Sequence, residues 1–277
     1  MPALPAPRSV TEVSHIHIPD GVLPVWLWLS GWVIAAALIW FASTRSRGAD
    51  VRRKVPLVGI ISALVLVSMS SEIVPIAYHI NLTVVAGVLL GPQLAIVSAF
   101  VVQVVLALLG HGGVTVIGLN TLMTMAEMLL GWALFRAFVR VLGRTRVRAA
   151  SGIATVVTLA ITTTLLVGLV AASGVTGATA RETGALDPQN LTFASPFSEG
   201  VVGVGLFSGG EKATAPAVGL KRFATIVYTL GPVGWLIEAL VTAAILGYVA
   251  RVRPSLIFEG PLAPTERILP GDELGVH

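Results

Sequence analysis

The chain contains no cysteine. Disulfides, thiolate metal sites and iron–sulfur centres are therefore excluded, and any metal must be held by nitrogen or oxygen donors. Charge is scarce: Asp, Glu, Lys and Arg make up 12% of the 277 residues, against about a quarter in soluble domains. There is no GxxxxGK[ST] phosphate loop, so any use of ATP falls to another chain. There is no HExxH pair either, which argues against an intramembrane metallohydrolase. The ten-residue alternating segments of a membrane β-barrel are missing, and no internal repeat stands out.

What is abundant is apolar. Hydrophobic residues make up 55% of the chain, with a mean hydropathy of +0.88. Runs of about 20 apolar residues recur, long enough to cross a bilayer as helices. Lipid offers no partner to backbone N–H and C=O groups, so spanning segments must be helical or closed barrels. The expected fold is all-α: a polytopic integral membrane protein of about seven transmembrane helices. The segments are 25–41, 55–77, 78–90, 92–109, 116–139, 149–172 and 223–249. Segment 78–90 is short, about 20 Å of helix, and is expected to be a crossing partly unwound near Tyr78. Residues 1–14 form an Ala- and Pro-rich tail without the pattern of a signal peptide. Residues 15–253 form the transmembrane domain, with a polar linker at 173–222 and a polar tail at 254–277.

Most basic residues cluster at short connections. Arg45, Arg47, Arg52, Arg53 and Lys54 precede segment two; Arg136, Arg140, Arg144, Arg146 and Arg148 precede segment six; Arg251 and Arg253 close segment seven. Such clusters mark the cytoplasmic side, which places the N-terminus outside and the C-terminus inside. The high pI follows from these topology signals and gives no reason to expect nucleic acid. With this topology, linker 173–222 is extracytoplasmic and the C-terminal tail cytoplasmic.

The same topology gathers His15, His17, His79 and His111 on the outer face, leaving only His277 elsewhere. Imidazole is a common ligand for borderline divalent metals, and Asp20 and Glu72 add carboxylates at that level. Each histidine alone is more often a solvated interfacial side chain; four on one face favour a metal site. Glu72 has a simpler role open to it, a bond to Ser68 or Ser71, while Glu127 and Glu238 lie deeper and could serve only to bridge helices. Gly31 and Ala35, extended by Ala36 and Ala37, form a small-xxx-small face in segment one. Such a face suits either a partner helix or packing within the chain.

His17-Ile18-Pro19-Asp20-Gly21 resembles the start of the CbiM/NikM family, the substrate-capture subunits of energy-coupling-factor transporters for cobalt or nickel. The block Gly87-Val88-Leu89-Leu90-Gly91-Pro92, then His111-Gly112-Gly113-Val114-Thr115 with Gly118-Leu119-Asn120, and Ile237-Glu238-Ala239-Leu240-Val241-Thr242 resemble further family blocks in the same order. The resemblance covers roughly residues 17–249. It implies metal ligation by His17 and His79, with His15 as a further candidate. His111, Asp20, Glu72, Asn81 and Asn120 would hold the ligands in place or line the approach, and Gly31 and Ala35 would meet a partner. It also implies partners: a transmembrane coupling subunit, two ATPase subunits and a small accessory membrane subunit, all in a prokaryotic cell membrane. Co²⁺ is the expected cargo, supplying cobalamin biosynthesis; Ni²⁺, or a self-sufficient secondary metal transporter, is the alternative. No resident cofactor and no enzymatic activity are expected. One departure is that Gly231-Pro232 stand where members often carry a histidine.

In that family the chain's own terminal amine joins the nitrogen ligands. Here the first histidine is His15, too far from Met1 for small chelate rings. A native start between Val13 and Ile16 would restore them, and is the expectation.

Overall fold

The structure is a computed structural model that describes residues 25–45, 49–70, 72–73, 78–109, 113–172 and 220–258. Helix α1 runs Val25–Arg45 and α2 Ala49–Ser70. Two short strands follow, β1 (Glu72–Ile73) and β2 (Tyr78–His79). Then come α3 (Thr83–Leu108), α4 (Ile117–Leu142), a 3-10 turn at Arg144–Arg146 and α5 (Val147–Ala172). The last elements are α6 (Leu220–Val252) and the short α7 (Pro254–Phe258). By length and composition, five of the described helices can cross a membrane, and α2 adds the shorter apolar stretch Val55–Ser70. The chain is thus a helical, multi-pass membrane protein. Large apolar side chains such as Val33, Trp40 and Leu240 point outward, where lipid is their solvent.

Segments 78–90 and 92–109 of the sequence reading are two limbs joined at a break in α3. Gly91 has φ 72° and ψ 172°, a conformation that glycine adopts at little steric cost. Pro92 follows; it lacks an N–H and suits the first turn of the second limb. A straight helix would separate Thr83 from Gln103 by about 30 Å. Yet Thr83 bonds Glu127 and Gln103 bonds Thr124, residues one turn apart on α4. The chain therefore bends sharply at Gly91, and both limbs run against the same stretch of α4. The first limb begins extended, at Tyr78–His79, and becomes helical only at Thr83. Segment 55–77 likewise stays helical only to Ser70, and its end enters β1.

Close approach of α3 and α4 depends on glycine. A Cβ on Gly87 would lie 2.0 Å from the Met128 carbonyl oxygen, and one on Gly131 2.9 Å from Val84 Cγ2. Small residues let backbones meet in this way where no hydrophobic effect drives helices together. Ser62 and Ser98, 2.7 Å apart between hydroxyls, tie α2 to α3.

Helices α5 and α6 pair antiparallel. Tyr228 donates to Thr164 Oγ1 at 2.8 Å near one end, and Gly247 packs on the Arg148 side chain near the other. Beyond the expected boundary at 253, packed chain continues to Phe258. Ile257 is buried, Arg136 Nη1 donates to the Phe258 carbonyl at 3.0 Å, and the Arg144 guanidinium lies 4.9 Å from the Phe258 ring centroid. The remainder of the tail and linker 173–222 up to residue 219 lie outside the described residues.

Candidate metal-capture site

The two ends of the bundle differ chemically. At one end Leu27 of α1, Val116 and Leu119 beside and on α4, and Leu166 and Leu169 of α5 form a small apolar cluster. Trp32 Nε1 donates there to the Thr115 carbonyl at 2.8 Å. Since α1 ends at Arg45 and α2 begins at Ala49, α2 runs back toward this end, and its C-terminus delivers the β1–β2 pair. At the other end lie Arg45, the start of α2 with Arg52, Arg53 and Lys54, the α4–α5 turn with Arg140 to Arg148, and Arg251 and Arg253.

The described elements that adjoin the four expected outer histidines begin or end toward the non-basic end. Residue 25 opens α1, β2 contains His79, and Gly113 leads into α4. His15, His17, Asp20 and His111 themselves lie outside the described residues. For Glu72 and His79 the described feature is the backbone: they stand opposite each other across the antiparallel β1–β2 pair, with Ile73 opposite Tyr78. Among the described residues no three His, Asp or Glu side chains gather as a metal-holding group.

Below this pair the chain is held by a buried carboxylate. Ser68 Oγ donates to the Ile80 carbonyl. Asn81, 2% exposed, donates from Nδ2 to Glu127 Oε2 at 2.5 Å, and Thr83 Oγ1 donates to the same oxygen at 3.0 Å. Thr162 of α5 reaches Glu127 Oε1 at 3.4 Å. Leu82, between the two donors, has φ 52° and ψ 16°. A left-handed backbone costs a non-glycine residue roughly 1–2 kcal/mol, so surrounding contacts must hold it. Asn120 is buried in the first turn of α4, where its carbonyl accepts from Thr124 Oγ1, which also accepts from Gln103 Nε2 at 2.7 Å.

Sequence reading left Glu127 as a possible helix bridge, and the structure gives it that part: it joins α4 to α5 and to the chain entering α3. Thr83, Thr162 and Gln103 were not singled out. Their one signal is polarity inside apolar helices, which does not say what each meets. The face of Gly31 and Ala35, for which packing within the chain was the other reading, is packed in this structure. Ala35 is 1% exposed, and a Cβ on Gly31 would lie 2.5 Å from Leu119 Cγ. Gly31 is thus covered by α4 within the chain.

Residues 17–256 match the CbiM family, described as the cobalt uptake substrate-specific transmembrane region. The chain belongs to the CbiM family. It is thereby placed among metal-uptake transporters of the membrane. A protein of Halobacterium salinarum, named as a cobalt transport protein CbiM, is 29% identical over 254 residues, which are 87% of this chain and 96% of that one. A protein of Haloquadratum walsbyi, named as a metal transport protein, is 30% identical over 128 residues. That match covers 44% of this chain and 59% of the relative. Two crystal structures, of a transition metal transporter and of its truncated form, share the fold with a TM-score of 0.58 at 20% identity. Each covers 86% of this CbiM-family chain, and the chain covers 99% of the truncated form and 93% of the other.

Proposed function

We propose that this CbiM-family chain is the substrate-capture subunit of an energy-coupling-factor importer for Co²⁺. What supports the reading most is the non-basic end of the bundle. There the β1–β2 pair sets His79 opposite Glu72 on the backbone, and residues 1–24, which carry His15 and His17, lead into the start of α1. In this reading His17 and His79 ligate the ion and His15 is a further donor. His111, Asp20, Glu72 and Asn120 line or brace the approach. The basic end faces the cytoplasm, following the usual distribution of Lys and Arg, and capture occurs outside.

The chain has no phosphate loop, so the energy would come from two ATPase subunits acting through a transmembrane coupling subunit, with a small accessory membrane subunit completing the complex. Nickel is the competing cargo: nitrogen donors bind Ni²⁺ more tightly than Co²⁺ in the usual order of affinities. Uptake of labelled Co²⁺ and Ni²⁺ should be measured in cells expressing this chain with and without a coupling subunit and ATPases. Cobalt uptake that requires those subunits is the expected result. Equal uptake by the chain alone would make it a secondary transporter, and preference for nickel would change the cargo.

A further inference from the structure

We infer that Glu127 is a positioning residue for the metal site: its buried carboxylate sets the backbone that presents His79. The inference rests on the reading of His79 as a ligand. His79 ends β2, and the three residues after it form no helix. A segment so short has little structure of its own, so its placement must come from what it binds.

Beside the β1–β2 pairing, two side-chain attachments hold it among the described residues. One is Ser68 of α2 on the Ile80 carbonyl. The other is the Glu127 carboxylate, which receives Asn81 and Thr83, the residues on either side of left-handed Leu82. Glu127 is itself fixed on α4, 9% exposed, and braced by Thr162 of α5. The carboxylate therefore ties the His79 strand, two residues upstream of Asn81, to two full-length helices. A carboxylate is suited to this because each oxygen accepts more than one hydrogen bond, and it accepts more strongly than a neutral group. The strain at Leu82 gives a second reason for the clamp, since an unfavourable backbone persists only where neighbours over-determine it.

The hydrogen-bond pattern distinguishes charge from geometry. A Gln at 127 can keep Oε1 toward Asn81 and Thr83. Its Nε2 can then donate to Thr162 Oγ1, which still donates to the Thr158 carbonyl at 3.1 Å. A Leu at 127 leaves both donors without an acceptor.

The test uses the full chain purified in detergent, with two readouts: backbone hydrogen exchange of residues 72–83 without metal, and Co²⁺ affinity by calorimetry. Glu127→Leu should raise exchange in that segment and weaken Co²⁺ binding by about 10–100-fold, the range typical of groups that orient metal ligands. Glu127→Gln should stay within about threefold of the native chain, by the pattern above. Asn81→Leu, which keeps Glu127, should behave as Glu127→Leu does, and keeps the test informative if Glu127→Leu fails to fold. Raised exchange with unchanged affinity, while His79→Ala abolishes binding, would overturn the inference. Unchanged exchange in both leucine variants would do the same. Normal binding by His79→Ala would instead overturn the ligand reading, and the exchange result would still report whether Glu127 holds the strand.

Discussion

Gly31 of α1 and Gly118 of α4 meet backbone to backbone: a Cβ on Gly118 would lie 2.8 Å from the Gly31 carbonyl carbon and 2.5 Å from the Trp32 nitrogen. This contact uses part of the small-residue face on α1 for packing within the chain. Gly31→Leu should lower the yield of folded protein and abolish Co²⁺ binding by the isolated chain, because overpacking costs about 1–3 kcal/mol or more. Fluorescence-detected size exclusion and calorimetry check this. A variant that binds Co²⁺ normally and loses only its partners would return the face to the interface.

Gly87 is the tighter test of packing between α3 and α4. A Cβ there meets the Met128 carbonyl oxygen at 2.0 Å, and a backbone atom cannot swing away as a side chain can. Gly59 of α2 has nothing within 4 Å of the same position. Gly87→Ala should lower the thermal midpoint in detergent by several degrees, at about 2–4 °C per kcal/mol for a chain of this size class. Gly59→Ala should leave it unchanged or raise it slightly, since Ala is the better helix former by about 1 kcal/mol.

At the metal site, His17→Ala and His79→Ala should each abolish Co²⁺ uptake with normal membrane insertion. His111→Ala should weaken uptake less, within the roughly 10–100-fold range of supporting residues. Radiolabelled uptake, normalised to membrane-inserted protein, distinguishes these outcomes. Normal transport by His79→Ala would remove the ligand assignment.

The α7 segment predicts a sharp boundary for truncation. Ending the chain after Phe258 keeps Ile257 and the acceptor for Arg136. Ending it after Arg253 removes buried Ile257 and the acceptor for Arg136. Burial of one such side chain is worth about 1.5–3 kcal/mol, so a lower thermal midpoint is expected for the shorter chain. Equal midpoints would show that the packed end contributes nothing.

Orientation in the membrane is open to direct labelling. With the basic end in the cytoplasm, Ser195→Cys in linker 173–222 should react with an impermeant thiol reagent in intact cells and Ala49→Cys should not. The native chain has no cysteine, so each label reports one position. The opposite pattern would place the histidine-bearing end inside.

Most helices were legible in the sequence, because a long apolar run in lipid has few backbone solutions. So was the break at Gly91-Pro92, since one residue permits positive φ and the next lacks an N–H. The extended start at Tyr78–His79 was anticipated only as unwinding: two paired residues are too few for any periodicity to show. For the site, the sequence supplies an expectation, imidazoles and carboxylates on outer turns, and His15, His17, Asp20 and His111 lie outside the described residues. The sequence also placed a carboxylate at 127 without saying what that carboxylate meets.

Tertiary structure alone decided that Asn81 and Thr83 converge on Glu127, more than forty positions along the chain. It alone decided that Gly31 is covered by α4, and that α7 folds back onto Arg136 and Arg144. The physical reason is the same in each case. Helix formation and breaking are settled by a residue and its near neighbours. A small side chain or a buried acceptor takes its role from the group it meets through space, and that group is known only once the helices are packed.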